Sequence, residues 1–541
     1  MKEHDKLKKL LLPLTALGLL GIIAVTESKG ITNIRHKNYG IVLDYTLEGR
    51  RGLPSKEERI YGVSQIWKKA SDYFAGWELA DTETTWDEAY EIACEEAENA
   101  RTTMEYRRAL EKFLAHLNHG NSENVGGPNL TFGWGILPFQ LGYYSQEYVV
   151  IMTSDAAVYP IGTVVETING QNTGVYLEET LGQYSGHRTP GAREFTHANN
   201  LYYGQIGESL HLEIRRPGME EAVPVTAFWD KNNRLDPGDV VEMDIGAEGE
   251  IVYTSEAFDV MELDENLCCF LMKSEMDLSC LDTYYGTVAP ILARYDGVVL
   301  DWRESEAGNS LIGRTIVESF TGEPVPRCYS APATIKVSKY VSDFGVWDSW
   351  RKSMESDSYG TLALLYDQNK EIFGEEISAM LEFGGEMHQG RFEAGEEMET
   401  FIEERWSELF PGIRLEDRED FYQEQREKSP LIGKPVVMIV DKMTGGSSDS
   451  VAAEAKAAGI TLVGTGTRGA TGNMMMIDLG GGWMTAISTQ RELTPEGSDI
   501  TNRGTEAQVQ VDLTAEDIAA GIDTQMEVAV EVLRGMIEDG A

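Results

Sequence analysis

Residues 443 to 459, MTGGSSDSVAAEAKAAG, place three serines and an aspartate on a glycine-softened turn that runs into an alanine-rich helix starting near Ser450. A serine becomes a nucleophile when its hydroxyl is exposed on a sharp turn, a base takes its proton, and N–H donors face the developing oxyanion. The glycines and the open N–H groups at the start of the helix meet the first and third conditions. The same residues also fit a plain structural role, because Ser and Asp are ordinary N-cap residues. No GxSxG elbow, HExxH pair or phosphate-binding loop competes with this segment.

The elements that must position these serines are βα units. DGVVLDW (296–302) and KPVVMIVD (434–441) are continuous apolar runs of the kind buried on both faces of a sheet, and each leads into a glycine-containing turn and a helix. Between them, at about 340–430, lies an acidic, mostly helical insertion that reads as a lid, a spacer or simply a solvated face. Upstream, Thr85 to Leu117 lacks Pro and Gly and repeats apolar residues every three to four positions, which predicts helices. A glycine-rich break, HGNSENVGGPN, follows. The stretch 148–216 then reads as short strands, with an ING turn and a closing strand that carries Leu210, Leu212 and Ile214 on one face.

Composition narrows the possible partners. The 541 residues exceed one ordinary core, and 42% hydrophobic with 25% charged residues is a globular balance. Ninety Asp and Glu against 46 Lys and Arg leave a net charge of -44, which repels nucleic acid and anionic lipid. Cys94, Cys268, Cys269, Cys280 and Cys328 are odd in number and lack CxxC spacing, so neither a zinc site nor a disulfide framework is expected. At the N-terminus, Lys6, Lys8 and Lys9 precede an apolar run from Leu10 to Val25, the layout of an export signal or an uncleaved membrane anchor over residues 1–28. The body is therefore expected outside the cytoplasm, as an extracellular, cell-surface or periplasmic protein.

Three ordered segments, VVLDWRESEAGNSLIGRTIVESF, KPVVMIVDKMTGGSSDSVAAEAKAAGITLVGTGTRGATG and GTEAQVQVDLTAEDIAAGIDTQMEVAVEVL, resemble the C-terminal processing peptidases, the tail-specific and tricorn-core serine peptidases. The family reads D-L-R-x-N-x-G-G in the first, which Asp301, Arg303 and Gly308 match, with Ala307 in place of a glycine. In the second it reads K-P-V-x-V-L-V-N, S-A-S-E and V-G-E-x-T-x-G, matched by Lys434, Pro435, Gly464, Thr467 and Gly469. The resemblance covers most of residues 100 to 535. It implies an α/β fold: a ClpP/crotonase-like β-α catalytic core (235–541), an N-terminal mostly helical region (29–140) and an inserted PDZ-like β-rich domain (141–230).

The resemblance also implies residue roles. The first serine of S-A-S-E falls on Ser447, while a tricorn-type alignment selects Ser448, followed by Asp449. Gly308 and the residue after the nucleophile would supply the oxyanion hole. The base is the departure. Ala470 stands where processing peptidases carry a lysine, and Asn121 stands where tricorn-type members carry a histidine; an asparagine is no general base. His119 lies two residues earlier in the same loop and takes the role if the loop shifts, whereas His116 falls on the helix. Glu506 is the third member by the family's G-x-E-P-D-like segment, although Ala507 and Gln508 replace the Pro-Asp and a surface carboxylate is the plain reading. Among the other residues, His187, His197 and His211 read as loop or strand-surface histidines, Met474 to Met476 as strand core, and Arg468 as a turn residue near the site. The expected activity is hydrolysis of peptide or protein substrates at chain ends or in extended segments, without cofactor or metal. The other reading is a pseudo-peptidase that kept the fold for peptide binding or scaffolding.

Overall fold

An apolar strand with no polar alternation needs cover on both faces, and the structure supplies it for both runs. The computed structural model describes residues 53–331 and 424–540, except 78, 81–83, 123–124, 128–133, 232, 234–239, 247–248, 276–279, 304, 306–307, 473 and 490. The leader expected at 1–28 lies outside these residues, as does the expected insertion up to residue 423.

The central sheet has the strand order Glu250–Thr254, Phe258–Glu262, Leu267–Met272, Gly297–Asp301, Val436–Val440, Thr461–Gly464, Val509–Gln510. From Leu267–Met272 onward the pairing is parallel, and the first two strands are antiparallel. Alternate residues of the buried strands serve different layers. Val298, Leu300, Met438 and Val440 pack with Ile312, Ile316, Val451 and Ala455 of the helices Ser310–Thr321 and Ser447–Ala457. Val299, Val437 and Ile439 pack with Met526, Ala529 and Leu533 of the helix Thr524–Gly540 on the other face.

The helices expected between Thr85 and Leu117 are Trp86–Asn99 and Thr103–Ala115, separated at Ala100 to Thr102. A third, Lys56–Tyr73, precedes them, and Ser55 and Thr85 close capping boxes with Glu58 and Glu88. Their apolar faces (Ile66, Ala93, Phe113) share one cluster with Met475, Ile477 and Trp483, from the hairpin Met474–Gly480 and Trp483–Ser488. The N-terminal helices are thus fastened to a hairpin nearly 400 residues away in sequence, which brings the loop after them to the core.

In the β-rich stretch an antiparallel sheet runs in the order Val241–Glu242, Glu147–Thr153, Val164–Ile168, Ser209–Arg215, Val223–Phe228. Asn169 and Gly170 turn with positive φ (52° and 80°), and Leu210, Leu212 and Ile214 all point into the core of this sheet. The five cysteines carry free thiols. No helix among the described residues is long and apolar enough to cross a membrane.

Arg303 joins the end of the central strand to the start of the last helix. Its guanidinium donates to Asp301 (2.8 and 3.0 Å), to Asp523 (2.7 and 2.8 Å) and to Gln525 at 3.2 Å. Asp301 and Asp523 are buried, so removing the cation leaves two desolvated carboxylates facing each other. Arg303→Met is expected to destabilise the protein by about 3–5 kcal/mol in chemical denaturation, far more than loss of a surface ion pair.

Candidate active site

Parallel strands end at one edge of a sheet, so residues distant in sequence meet there. The strand Leu267–Met272 leads to Glu275, Gly297–Asp301 leads to Trp302 and Ser305, and Val436–Val440 leads to the turn that carries the serines. Asp441 shapes that turn, its Oδ1 accepting from the amides of Met443 (2.9 Å) and Thr444 (3.0 Å). The Thr444 hydroxyl donates to the Trp302 carbonyl at 3.1 Å, and the Gly445 and Gly446 amides donate to the carbonyls of Ser305 and Ala470, each at 2.9 Å. Gly446 has φ 59° and ψ −127°, a conformation that glycine adopts without strain. The helix therefore begins at Ser447, not near Ser450 as its sequence suggests, because Gly446 is the N-cap.

Ser447 is half-buried and Ser448 fully buried. Ser447 Oγ donates to Glu275 Oε2 at 2.8 Å. Ser448 Oγ lies 3.3 Å from the same oxygen and 2.9 Å from Ser305 Oγ. The other carboxyl oxygen, Glu275 Oε1, accepts from Trp302 Nε1 at 2.8 Å. Two glycines make room for this carboxyl. Gly308 pairs with Glu275 in a short parallel bridge, where a Cβ would stand 2.3 Å from that of Glu275; a Cβ on Gly313 would stand 2.8 Å from Oε1. The Glu275 carbonyl accepts from the Asn309 amide at 2.7 Å, which fixes its backbone.

Burial pushes the Glu275 carboxyl up to about 7, against the hydrogen bonds from Ser447, Trp302 and Ser448, and the charge of Glu454 acts in the same direction as burial. Asp449 is likewise raised by burial to about 7, opposed by the Thr467 hydroxyl and the amides of Gly469 and Ala470. Burial raises Glu492 as well, although the hydroxyls of Ser450 (2.5 Å) and Thr471 (2.8 Å) bond its carboxyl. Glu454 pairs twice with Arg314, at 2.6 and 2.8 Å. Four acidic side chains thus lie on or against one helix.

The remaining expected residues lie around this centre. His119 is buried, its Nδ1 accepts from the Asn121 amide at 3.2 Å, and its ring stands edge-on to Phe74. Asn121 donates through its side chain to the Gly472 carbonyl at 3.3 Å, and Ala470 is buried. Glu506 is exposed, and its backbone carbonyl, not its carboxylate, takes the bond from Lys456 at 2.7 Å. His187 and His197 are buried, in contrast to the surface placement their sequence suggested, whereas His211 is exposed on its strand. His187 Nε2 accepts from Arg468 Nε at 3.4 Å, and the Arg468 amide donates to Thr444 at 2.8 Å, so this arginine braces the serine turn. Met475 is strand core. Sequence reasoning passed over Glu275, Trp302, Ser305 and Glu492. A single glutamate in a chain with 90 acidic residues offers no contrast, and only the strand order brings it under the serines.

Residues 289–511 match the model of Peptidase family S41. This span contains Trp302, Ser305, Gly308 and both serines. Peptidase family S41 is thus the family that this part of the chain resembles. Peptide or protein is the substrate class that the family implies. The chain also resembles mature CPAF in its solved structure (TM-score 0.57, 13% identity, 90% of this chain and 98% of that chain). A second structure, mature CPAF complexed with lactacystin, gives a TM-score of 0.56 at 13% identity, over 90% of this chain and 99% of that one. At this identity the likeness is one of fold. No curated protein matches the chain by sequence.

The raised carboxyls make stability depend on pH. Glu275 ordinarily titrates near 4.5 and Asp449 near 3.8, and both are held at about 7 in the fold. A folded value above the unfolded one contributes stability that is complete below the unfolded value and is lost as pH rises through the folded value. Thermal melts are therefore expected to weaken between about pH 4 and 7. In Glu275→Gln the decline should be smaller, by a contribution on the order of 3 kcal/mol. Equal slopes in the two proteins would contradict the placement of this carboxyl.

Proposed function

We propose that this chain is an exported serine-type peptidase of the C-terminal processing kind, with Ser447 as its nucleophile. The observation that carries the reading is the Ser447 hydroxyl, half-buried on the first residue of a helix, after a turn only glycine adopts, and hydrogen-bonded to a carboxyl. Ser448 is fully buried between Glu275 and Ser305, which favours Ser447 as the attacking group. The partial positive charge of the helix start favours an oxyanion beside Ser447, and Gly308 pairs in a bridge with Glu275, whose carboxyl Ser447 bonds.

The finer architecture belongs to the same proposal: a ClpP/crotonase-like core over 235–541, a helical region over 29–140 and a PDZ-like domain over 141–230. The parallel sheet with its βα turns supports the first. The antiparallel sheet around Ser209–Arg215, with two short helices, supports the last, and a strand edge there suits an extended peptide bound by strand addition. Export rests on the lysines and apolar run of residues 6–25, and residues 1–28 would serve as a signal peptide or a membrane tether. The second reading, a pseudo-peptidase that binds peptides without cutting them, draws support from His119 Nδ1, which accepts from Asn121 within its own loop.

A fluorophosphonate probe separates the two. The purified chain is expected to label at Ser447, Ser447→Ala to lose labelling and peptide turnover, and Ser448→Ala to keep labelling. A folded protein that never labels, or a Ser447→Ala variant that still does, would count for the pseudo-peptidase.

A further inference from the structure

We infer that Glu275 is the general base for the serine chemistry, its carboxylate taking the Ser447 hydroxyl proton along their 2.8 Å hydrogen bond. This rests on the reading of Ser447 as the nucleophile.

The geometry is that of a base held for use. Trp302 fixes one carboxyl oxygen, which leaves Oε2 to the serines, and the Asn309 amide holds the Glu275 backbone. The clearance at Gly308 and Gly313 admits the side chain and nothing larger than hydrogen at those positions. The two positions where the resemblance expects a base, Ala470 and Asn121, carry no titratable group.

An ordinary glutamate is too weak a base to draw a proton from a serine near neutral pH, because base strength follows pKa. Burial lifts Glu275 to about 7, so the carboxylate is both populated and basic just above that pH. The charged groups on the packed elements are turned to other partners. On the serine helix, Asp449 faces the Gly469 and Ala470 amides and Glu454 faces Arg314. On the helix Ser310–Thr321, Arg314 faces Glu454, and Glu318 bonds Arg426 at 3.1 Å. Beyond Trp302, Arg303 faces Asp301 and Asp523. The donors bonded to the Glu275 carboxyl are uncharged hydroxyls and an indole, whose hydrogen bonds lower its pKa by less than burial raises it.

In the reaction, Ser447 Oγ forms a bond to the peptide carbonyl carbon while its proton passes to Glu275 Oε2. The protonated carboxyl then gives that proton to the departing amine nitrogen as the C–N bond breaks, leaving an acyl-serine. A water molecule adds to the acyl carbon, its proton passes to Glu275, and the proton returns to Ser447 Oγ as the ester bond breaks. Protons and electron pairs balance over the cycle, and only water is consumed.

The test measures the rate of fluorophosphonate labelling of the full chain from pH 5 to 9, with the adduct located by mass spectrometry. The wild type should label at Ser447 with a rate that climbs to a plateau through a single inflection near 7. Glu275→Gln, checked for folding by its melting curve, should label roughly 10²- to 10⁴-fold more slowly and lose the inflection. His119→Gln should keep it. Glu275→Gln that labels at the wild-type rate with the same inflection overturns Glu275 as the base and leaves the peptidase reading standing. If Glu275→Gln does not fold, the His119→Gln profile decides: a retained inflection supports Glu275, and a lost one moves the role to His119. A folded wild type that labels at no pH overturns the peptidase reading, and Glu275 as its base falls with it.

Discussion

A carboxyl group taken out of water must find donors or a proton, and the requirement at Glu275 organises everything around the serines. Its donors come from two other strand ends: the Trp302 indole after Gly297–Asp301, and the Ser447 and Ser448 hydroxyls after Val436–Val440. They converge only because the three strands are adjacent and parallel. The close approach of the Glu275 backbone then forces hydrogen in place of a side chain at Gly308, and the Glu275 and Val451 side chains do the same at Gly313. The D-L-R-x-N-x-G-G-like segment thereby gains a second physical meaning, since its glycine is also the clearance for a buried acid.

Around the serine helix, hydroxyls and amides take the place that cations hold in most buried acid clusters. Ser450 and Thr471 bond Glu492, the Gly469 and Ala470 amides bond Asp449, and among these acids the strong guanidinium pair belongs to Glu454 with Arg314. Burial raises these carboxyls, and neutral donors satisfy lone pairs without stabilising the charge as a cation would, so Glu492 stays above the ordinary carboxylate range and Glu275 and Asp449 reach about 7. The same arrangement costs stability as the acids ionise, the usual tension between a tuned site and a stable fold.

The βα core was legible because strands buried on both faces lose their polar alternation, as DGVVLDW and KPVVMIVD do, and because Leu210, Leu212 and Ile214 kept the period-two pattern of a one-sided sheet. The serine turn was legible from its glycines. The helix start was misread by three residues because Ser and Asp are strong N-caps, yet Gly446, set by the contact of its amide with Ala470, took that position. His187 and His197 looked like surface residues because local sequence gives no account of what folds over them. His187 is enclosed by the Gly120 loop and faces Arg468, which comes from 281 residues further on.

The sequence by itself determined which segments are strands and helices and which turn carries the serines, since hydrophobic period, glycine and capping chemistry act over a few neighbouring residues. It also carried, through ordered motifs, the resemblance to a peptidase family. Tertiary structure alone decided which of two adjacent hydroxyls reaches solvent, that Glu506 faces outward, and that Glu275 lies beneath Ser447. Those outcomes depend on strand order and on desolvation, and both are properties of segments brought together from 172 residues apart.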